Sequence, residues 1–150
     1  MLRDEIAQAL TMAQKAQDKP RVSTLRLIMA AVKDRDIANR GAGKEAVADD
    51  ELLSILAKMI KQREESAKLY DEGNRPELAG QERAEIEIIR GFLPKQLDEA
   101  EMRKAVAAVI AEAGASGVKD MGKVMGLLKE RFAGQMDFSK ANGIVKELLQ

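Results

Sequence analysis

The chain contains no cysteine, no histidine and no tryptophan, and only one tyrosine, three phenylalanines and three prolines in 150 residues. Each absence removes a class of function. Without cysteine or histidine a single chain offers no disulfide, no Cys/His metal set, no thiol nucleophile and no imidazole base, which excludes most hydrolase and zinc-enzyme mechanisms. The scarcity of aromatics argues against base-stacking platforms of the kind found on single-strand-binding sheets. An excess of one charge is missing too: 25 Lys and Arg face 25 Asp and Glu, so no global field draws the chain to nucleic acid or an anionic membrane, and any such binding is local. No apolar run approaches the length of a membrane span, and no charged-then-apolar signal segment stands at the N-terminus. The expectation is a cytoplasmic protein that takes neither a membrane nor DNA as partner.

What is present is rich in Ala, Leu, Ile, Met, Glu, Lys and Arg, spaced at helical rather than alternating periodicity, and predicts an all-α protein. The first helix spans roughly Leu2 to Ala16. Pro20 sits in the opening turn of the second, which carries Val22, Leu25, Met29 and Val32 on one stripe until "NRGAG" breaks it. A third helix starts at Asp49 or Asp50 as N-cap and runs to about Tyr70, and Pro76 helps start a fourth after "DEGNRP". At "GFLPKQLDEAE" the pattern resets, with Asp98 and Glu101 forming an Asp-headed capping box. The domain boundary is placed there, giving a four-helix unit over 1–93 and a small three-helix unit over 94–150. Helices are predicted at about Glu99 to Ala113, Met121 to Phe132 and Phe138 to Leu149.

Three features invite a functional reading. "GVKDMGKV", Gly117 to Val124, has the skeleton of a phosphate loop. However, an alanine-rich helix precedes it where a strand is needed, Val124 replaces the magnesium-binding hydroxyl, and Asp120 sits where phosphate would lie. A helix start explains it better: Asp120 serves as N-cap, and Met121, Val124, Met125, Leu128 and Phe132 form a core stripe. Gly122 and Gly126, one turn apart, each cost the helix about 1 kcal/mol relative to Ala, implying a close approach by another helix or by an RNA backbone. Lys119, Lys123 and Lys129 surround the same flank, where they can meet phosphates. In the third and fourth helices, Arg63 and Glu82 fall inside apolar stripes and are read as a partly buried structural ion pair. Arg26 and Lys33, two turns apart on the second helix, are read as a solvated edge neutralised by Asp34 and Asp36. No catalytic residue, metal ligand set or cofactor site emerges.

Taken together and in order, "STLRLIMAAVK", "LAKMIKQREES", "EIEIIRGFLPKQL", "GASGVKDMGKVM" and "IVKELL" resemble the GatB/YqeY family across nearly the whole chain. That family is similar to the C-terminal helical and tail domains of the GatB component of the glutamine-dependent aspartyl/glutamyl-tRNA amidotransferase, where the tail contacts tRNA and the chemistry lies elsewhere. The resemblance implies a tail-like second unit. The tail module's pattern corresponds here to Gly122, Lys123, Val124 and Met125 and to Gly134 with Asp137, and it implies RNA contact along the glycine-flanked helix. The function expected is that of a tRNA-binding accessory module without catalysis of its own. Alternatives are a protein-binding subunit or helper of an amidotransferase or glutaminyl-tRNA synthetase, and a carbon–nitrogen ligase using glutamine as amide donor, by family transfer. Asn74 stands where the family usually has Gly, and Phe92 where it usually has Tyr.

Overall fold

A computed structural model describes residues Met1–Gln150 as seven α-helices and no strand. They are α1 (Leu2–Lys15), α2 (Lys19–Gly41), α3 (Asp49–Glu72), α4 (Pro76–Arg90), α5 (Glu99–Ala113), α6 (Met121–Arg131) and α7 (Phe138–Leu149), with a 3-10 turn at Val118–Asp120 before α6. The chain divides into two compact units, Met1–Leu93 and Pro94–Gln150.

In the first unit α1 and α2 form one antiparallel hairpin and α3 and α4 another. Their apolar faces meet around Ile6, Leu25, Ile28, Leu52, Leu56 and Ile89, all withdrawn from solvent. On α2 the buried stripe is Leu25, Ile28 and Val32, with Val22 and Met29 only half-buried. The helix is therefore rotated slightly from the expected stripe, toward Ile28. On α4, Leu78 is exposed, and the buried stripe runs through Ala79, Ile86 and Ile89. The three-residue connection between α3 and α4 makes them antiparallel, and surface ion pairs run along the hairpin. Asp71 meets Arg83 near the turn and Glu64 meets Arg90 two turns away from it.

Helix ends follow local chemistry, with a departure from expectation at the start of α3. Asp18 caps α2, its carboxylate accepting the Arg21 N–H at 3.2 Å, and the Asp98–Glu101 capping box opens α5 with both reciprocal bonds present. Asp49 does not cap α3. Ala48 holds that position without a side-chain bond, and the Asp49 carboxylate instead accepts the Leu2 N–H at 3.3 Å, joining the start of α1 to the start of α3. Asp49, Asp50 and Glu51 still lie in the first turn of α3, where the helix dipole favours negative charge.

Four helices end in the same pair of backbone bonds, in which the second residue past the last helical turn bonds back across five residues and its predecessor across three. This Schellman arrangement puts the first of the two in the left-handed region. At Gly43 and Gly114 the residue is glycine, but after α1 it is Gln17 (φ 56°) and after α3 it is Asn74 (φ 59°). Position 74, where the resemblance leads one to expect Gly, is thus one whose backbone favours it, and Asn is the side chain that tolerates that region best.

In the second unit Met102, Val106 and Val109 of α5, Val124 and Leu128 of α6, and Ala141, Val145 and Leu149 of α7 enclose the core. The segment leading into α5 is strapped across the α6–α7 turn. The Leu97 N–H donates to the Gln135 carbonyl at 2.8 Å, and the Gln96 amide donates to the carbonyls of Pro94 and Gly134. Gly134 itself is buried with φ 74°.

Candidate nucleic-acid interface

The segment that resembles a phosphate loop is preceded by helix α5, continues through the 3-10 turn and enters α6 directly, so no strand-to-helix cradle forms. Asp120 occupies the cap position of α6, but its side chain does not bond the first turn of that helix. It accepts the Ser116 N–H at 3.0 Å, closing the Ser116–Asp120 turn from the other side. The 3-10 turn causes this difference: it interposes a tight turn before α6 and points the carboxylate back toward residue 116. The first-turn N–H groups of α6 receive no side-chain cap.

The buried side of α6 carries Val124 and Leu128, with Met121, Met125 and Leu127 half-buried beside them. Gly122, Gly126, Lys123 and Lys129 are exposed, as is Lys119 in the preceding turn. A Cβ added at Gly122 or Gly126 would meet no atom within 4 Å. No helix of the unit packs into the glycine flank, so packing within this unit does not account for two glycines in an 11-residue helix. The three lysines differ in state. Lys123 donates to the Ala113 carbonyl at 3.2 Å, covering the C-terminal end of α5, where the helix dipole favours a cation. Lys119 and Lys129 make no ion pair. Beside them Arg131 forks onto Glu112 of α5 at 2.6 Å, which holds the Glu112 carboxyl below its ordinary pKa and fastens α6 to α5.

Periodicity does not single out Gly143, a third helix-interior glycine of this unit. It lies on the exposed side of α7 with open space around its Cα, between the exposed Lys140 and Lys146. The signal for it is in "KANGIVK", a glycine inside an otherwise strong amphipathic helix.

The expected ion pair needs correction. Arg63 pairs with Glu85 at 2.8 Å, not with Glu82, and also donates to the Met59 carbonyl at 3.1 Å. Glu82 and Glu85 are one turn apart on the same flank of α4, and the axial offset of the α3–α4 hairpin brings the second opposite Arg63. Glu82 is left half-buried without an ion-pair partner. Burial raises its carboxyl above the ordinary value and the neighbouring Glu85 charge adds to this, with Arg63 acting in opposition. The Arg63–Glu85 pair is partly buried, with side-chain exposures of 14% and 31%. No nucleophile or base accompanies it, and no group of three acidic side chains converges to hold a metal ion.

No helix is long and apolar enough to cross a membrane. Among known proteins, the chain is 31% identical over 105 residues to "Altered inheritance of mitochondria protein 41, mitochondrial" of Lachancea thermotolerans, covering 69% of this chain and 54% of that protein. It is 32% identical over 85 residues to the protein of the same name from Vanderwaltozyma polyspora, covering 56% and 44%. An uncharacterized protein of Schizosaccharomyces pombe is 29% identical over 90 residues, covering 60% and 70%. The chain thus spans about half the length of the first two of these curated relatives. The family described as "Yqey-like protein" matches residues 3–149, essentially end to end, and the chain belongs to that family.

Proposed function

We propose that the chain is a non-catalytic accessory module that binds tRNA, through the outward face of α6, beside a tRNA-dependent amidotransferase. The observation that carries this reading is the open glycine flank. Gly126 destabilises α6 by about 1 kcal/mol relative to Ala and Gly122, in the first turn, by less, and no side chain of the unit occupies the space they leave. A flank kept free of side chains, bordered by the unpaired Lys119 and Lys129, suits a phosphodiester backbone approaching closely. Lys123 would exchange the Ala113 carbonyl for phosphate on binding. Such contacts read backbone and shape rather than base sequence, as suits a module with almost no aromatic side chains. The cytoplasm is the compartment we assign, while the two named yeast relatives carry "mitochondrial" in their own names.

The test is a titration with unfractionated deacylated tRNA at two salt concentrations, comparing the wild-type chain with Lys119, Lys123 and Lys129 all changed to Ala. Affinity should fall steeply with salt, and the triple variant should show a slope shallower by about 2–3 in log–log terms. No binding at low salt would remove the RNA reading and leave that of a protein-binding subunit. Amide formation on Glu-tRNA(Gln) by the purified chain with glutamine and ATP would instead establish the ligase alternative.

A further inference from the structure

α2 carries a regular ladder of positive charge. Lys19, Arg26, Lys33 and Arg40 recur every seven residues, all four are exposed, and none makes an ion pair. By contrast seven other arginines of the chain, Arg3 and Arg35 among them, are paired with carboxylates. A seven-residue step on a 3.6-residue helix drifts by only ~20°, so the four cations share one stripe, rising about 10 Å per rung and about 31 Å overall. At the i+4 positions after the rungs stand the exposed Ser23 and Ala30, which are small, and Ile37, which is not. Lys19 and Arg26 line an open cleft of about 590 Å³ with Gln14, Gln17, Ser23 and the apolar Val22 and Leu27, and no carboxylate contributes to its wall.

The acidic residues expected to neutralise this edge do not. Both oxygens of Asp36 are committed to the Arg3 guanidinium at 2.8 Å, and one also accepts the Val47 N–H at 2.8 Å. Asp34 is exposed, unpaired and about a quarter-turn off the stripe. In a protein of zero net charge, α2 holds six cations against two carboxylates, and the unpaired ones face solvent.

We infer that the outer stripe of α2 is a docking surface for the sugar–phosphate backbone of double-helical RNA. This rests on the RNA-binding reading above and adds to it a second contact surface, on the first unit. The charge pattern favours this occupant. A nucleic-acid duplex carries about one negative charge per ~1.7 Å of its axis, both strands counted, so a cationic stripe about 31 Å long faces a dense anionic surface and needs no matched sequence. A membrane surface is disfavoured because an interfacial helix must lay a continuous apolar face into lipid: Leu25, Ile28 and Val32 of α2 are consumed by the core, and its exposed Leu27 and Ile37, ten residues and about 80° apart, form no such face. Single-stranded RNA is disfavoured because no aromatic side chain lies on α2 to stack a base.

The test uses the full chain with Lys19, Arg26, Lys33 and Arg40 changed together to Gln, titrated with unfractionated tRNA at about 50 and 200 mM salt. Changing Lys58, Lys61 and Lys68 of α3 to Gln serves as control. Losing four phosphate contacts should lower the log–log salt slope by about 3–4, so the fourfold salt increase should weaken the variant about a hundredfold less than the wild type. The control should keep the wild-type slope. The four single Gln variants should each lower the slope by about 1, which serves if the quadruple variant does not fold. If the α2 variants keep the wild-type slope while the α6 lysine variant flattens it, the α2 surface falls and the RNA reading stands. If the wild type binds no tRNA, both fall. Equal affinity and slope with polyglutamate of matched charge would overturn RNA in favour of an acidic protein partner.

Discussion

Replacing Gly122 and Gly126 with alanine should make the protein more stable and its RNA binding weaker, two effects that a packing role for these glycines cannot produce together. Both lie inside α6 without a left-handed φ, and the Cβ of an alanine would enter open space at either position. Alanine therefore gains helix propensity of about 1 kcal/mol at Gly126 and less at Gly122 in the first turn, largely by restricting the unfolded chain, and introduces no clash. For a unit of the size of Pro94–Gln150, about 1 kcal/mol corresponds to a rise in Tm of roughly 4–8 °C. The assay is thermal unfolding followed by circular dichroism, with Gly114→Ala as the opposite control. Gly114 has φ 65°, so alanine there should lower stability by about 1 kcal/mol. On the binding side, two methyl groups on the flank should hold a phosphodiester backbone away, weakening tRNA binding while leaving the number of lysines, and hence most of the salt slope, unchanged. A lower Tm for Gly122→Ala or Gly126→Ala would refute the open-flank reasoning. A higher Tm with unaltered tRNA affinity would refute the flank as an RNA face and keep its geometry.

Gln17→Gly should stabilise the first unit by about 0.5–1 kcal/mol, because relief of a left-handed side chain outweighs the added freedom of the unfolded chain. Asn74→Gly should gain less, since Asn tolerates that region; urea unfolding midpoints rank the two. A double-mutant cycle between Arg63 and Glu85 should give a coupling of about 1–2 kcal/mol, against a few tenths between Arg63 and Glu82. The reverse order would restore the pairing first expected. The Arg3 fork and the Val47 N–H hold the Asp36 carboxyl at about 2, below its ordinary 3.8. Its folded pKa is depressed, so its contribution is complete above about pH 4 and drains away between about pH 4 and 2; the stability gap between wild type and Asp36→Asn should close over that interval. Glu82 has the opposite sign. Its raised folded pKa makes the charged form unfavourable, so Glu82→Gln should stabilise at neutral pH, with the advantage vanishing as pH falls below the ordinary carboxylate range.

The helical class was legible because periodicity of about 3.6 survives local irregularity: a stripe such as Leu52, Leu56 and Met59 marks a buried face whatever packs on it. The cap at Asp98 was legible for a related reason, since a capping box is completed within a single turn of chain. What could not be read depends on offsets between helices. Glu82 and Glu85 present the same chemistry on the same flank, and only the axial register of α3 against α4 decides which meets Arg63. Asp49 and Asp120 are both competent caps by composition. One is drawn to the Leu2 N–H, which lies 47 positions away in the chain, and the other is turned away by a 3-10 turn with no glycine inside it to announce it. Asp36 shows how such offsets bear on function. Three positions from Lys33 on the same helix, it reads as that residue's neutralising partner. Yet α1 presents Arg3 to it, and the chain entering α3 presents the Val47 N–H. Once those donors occupy both carboxylate oxygens, Lys33 is left to solvent, and a surface that looks neutral along the sequence is cationic in the fold.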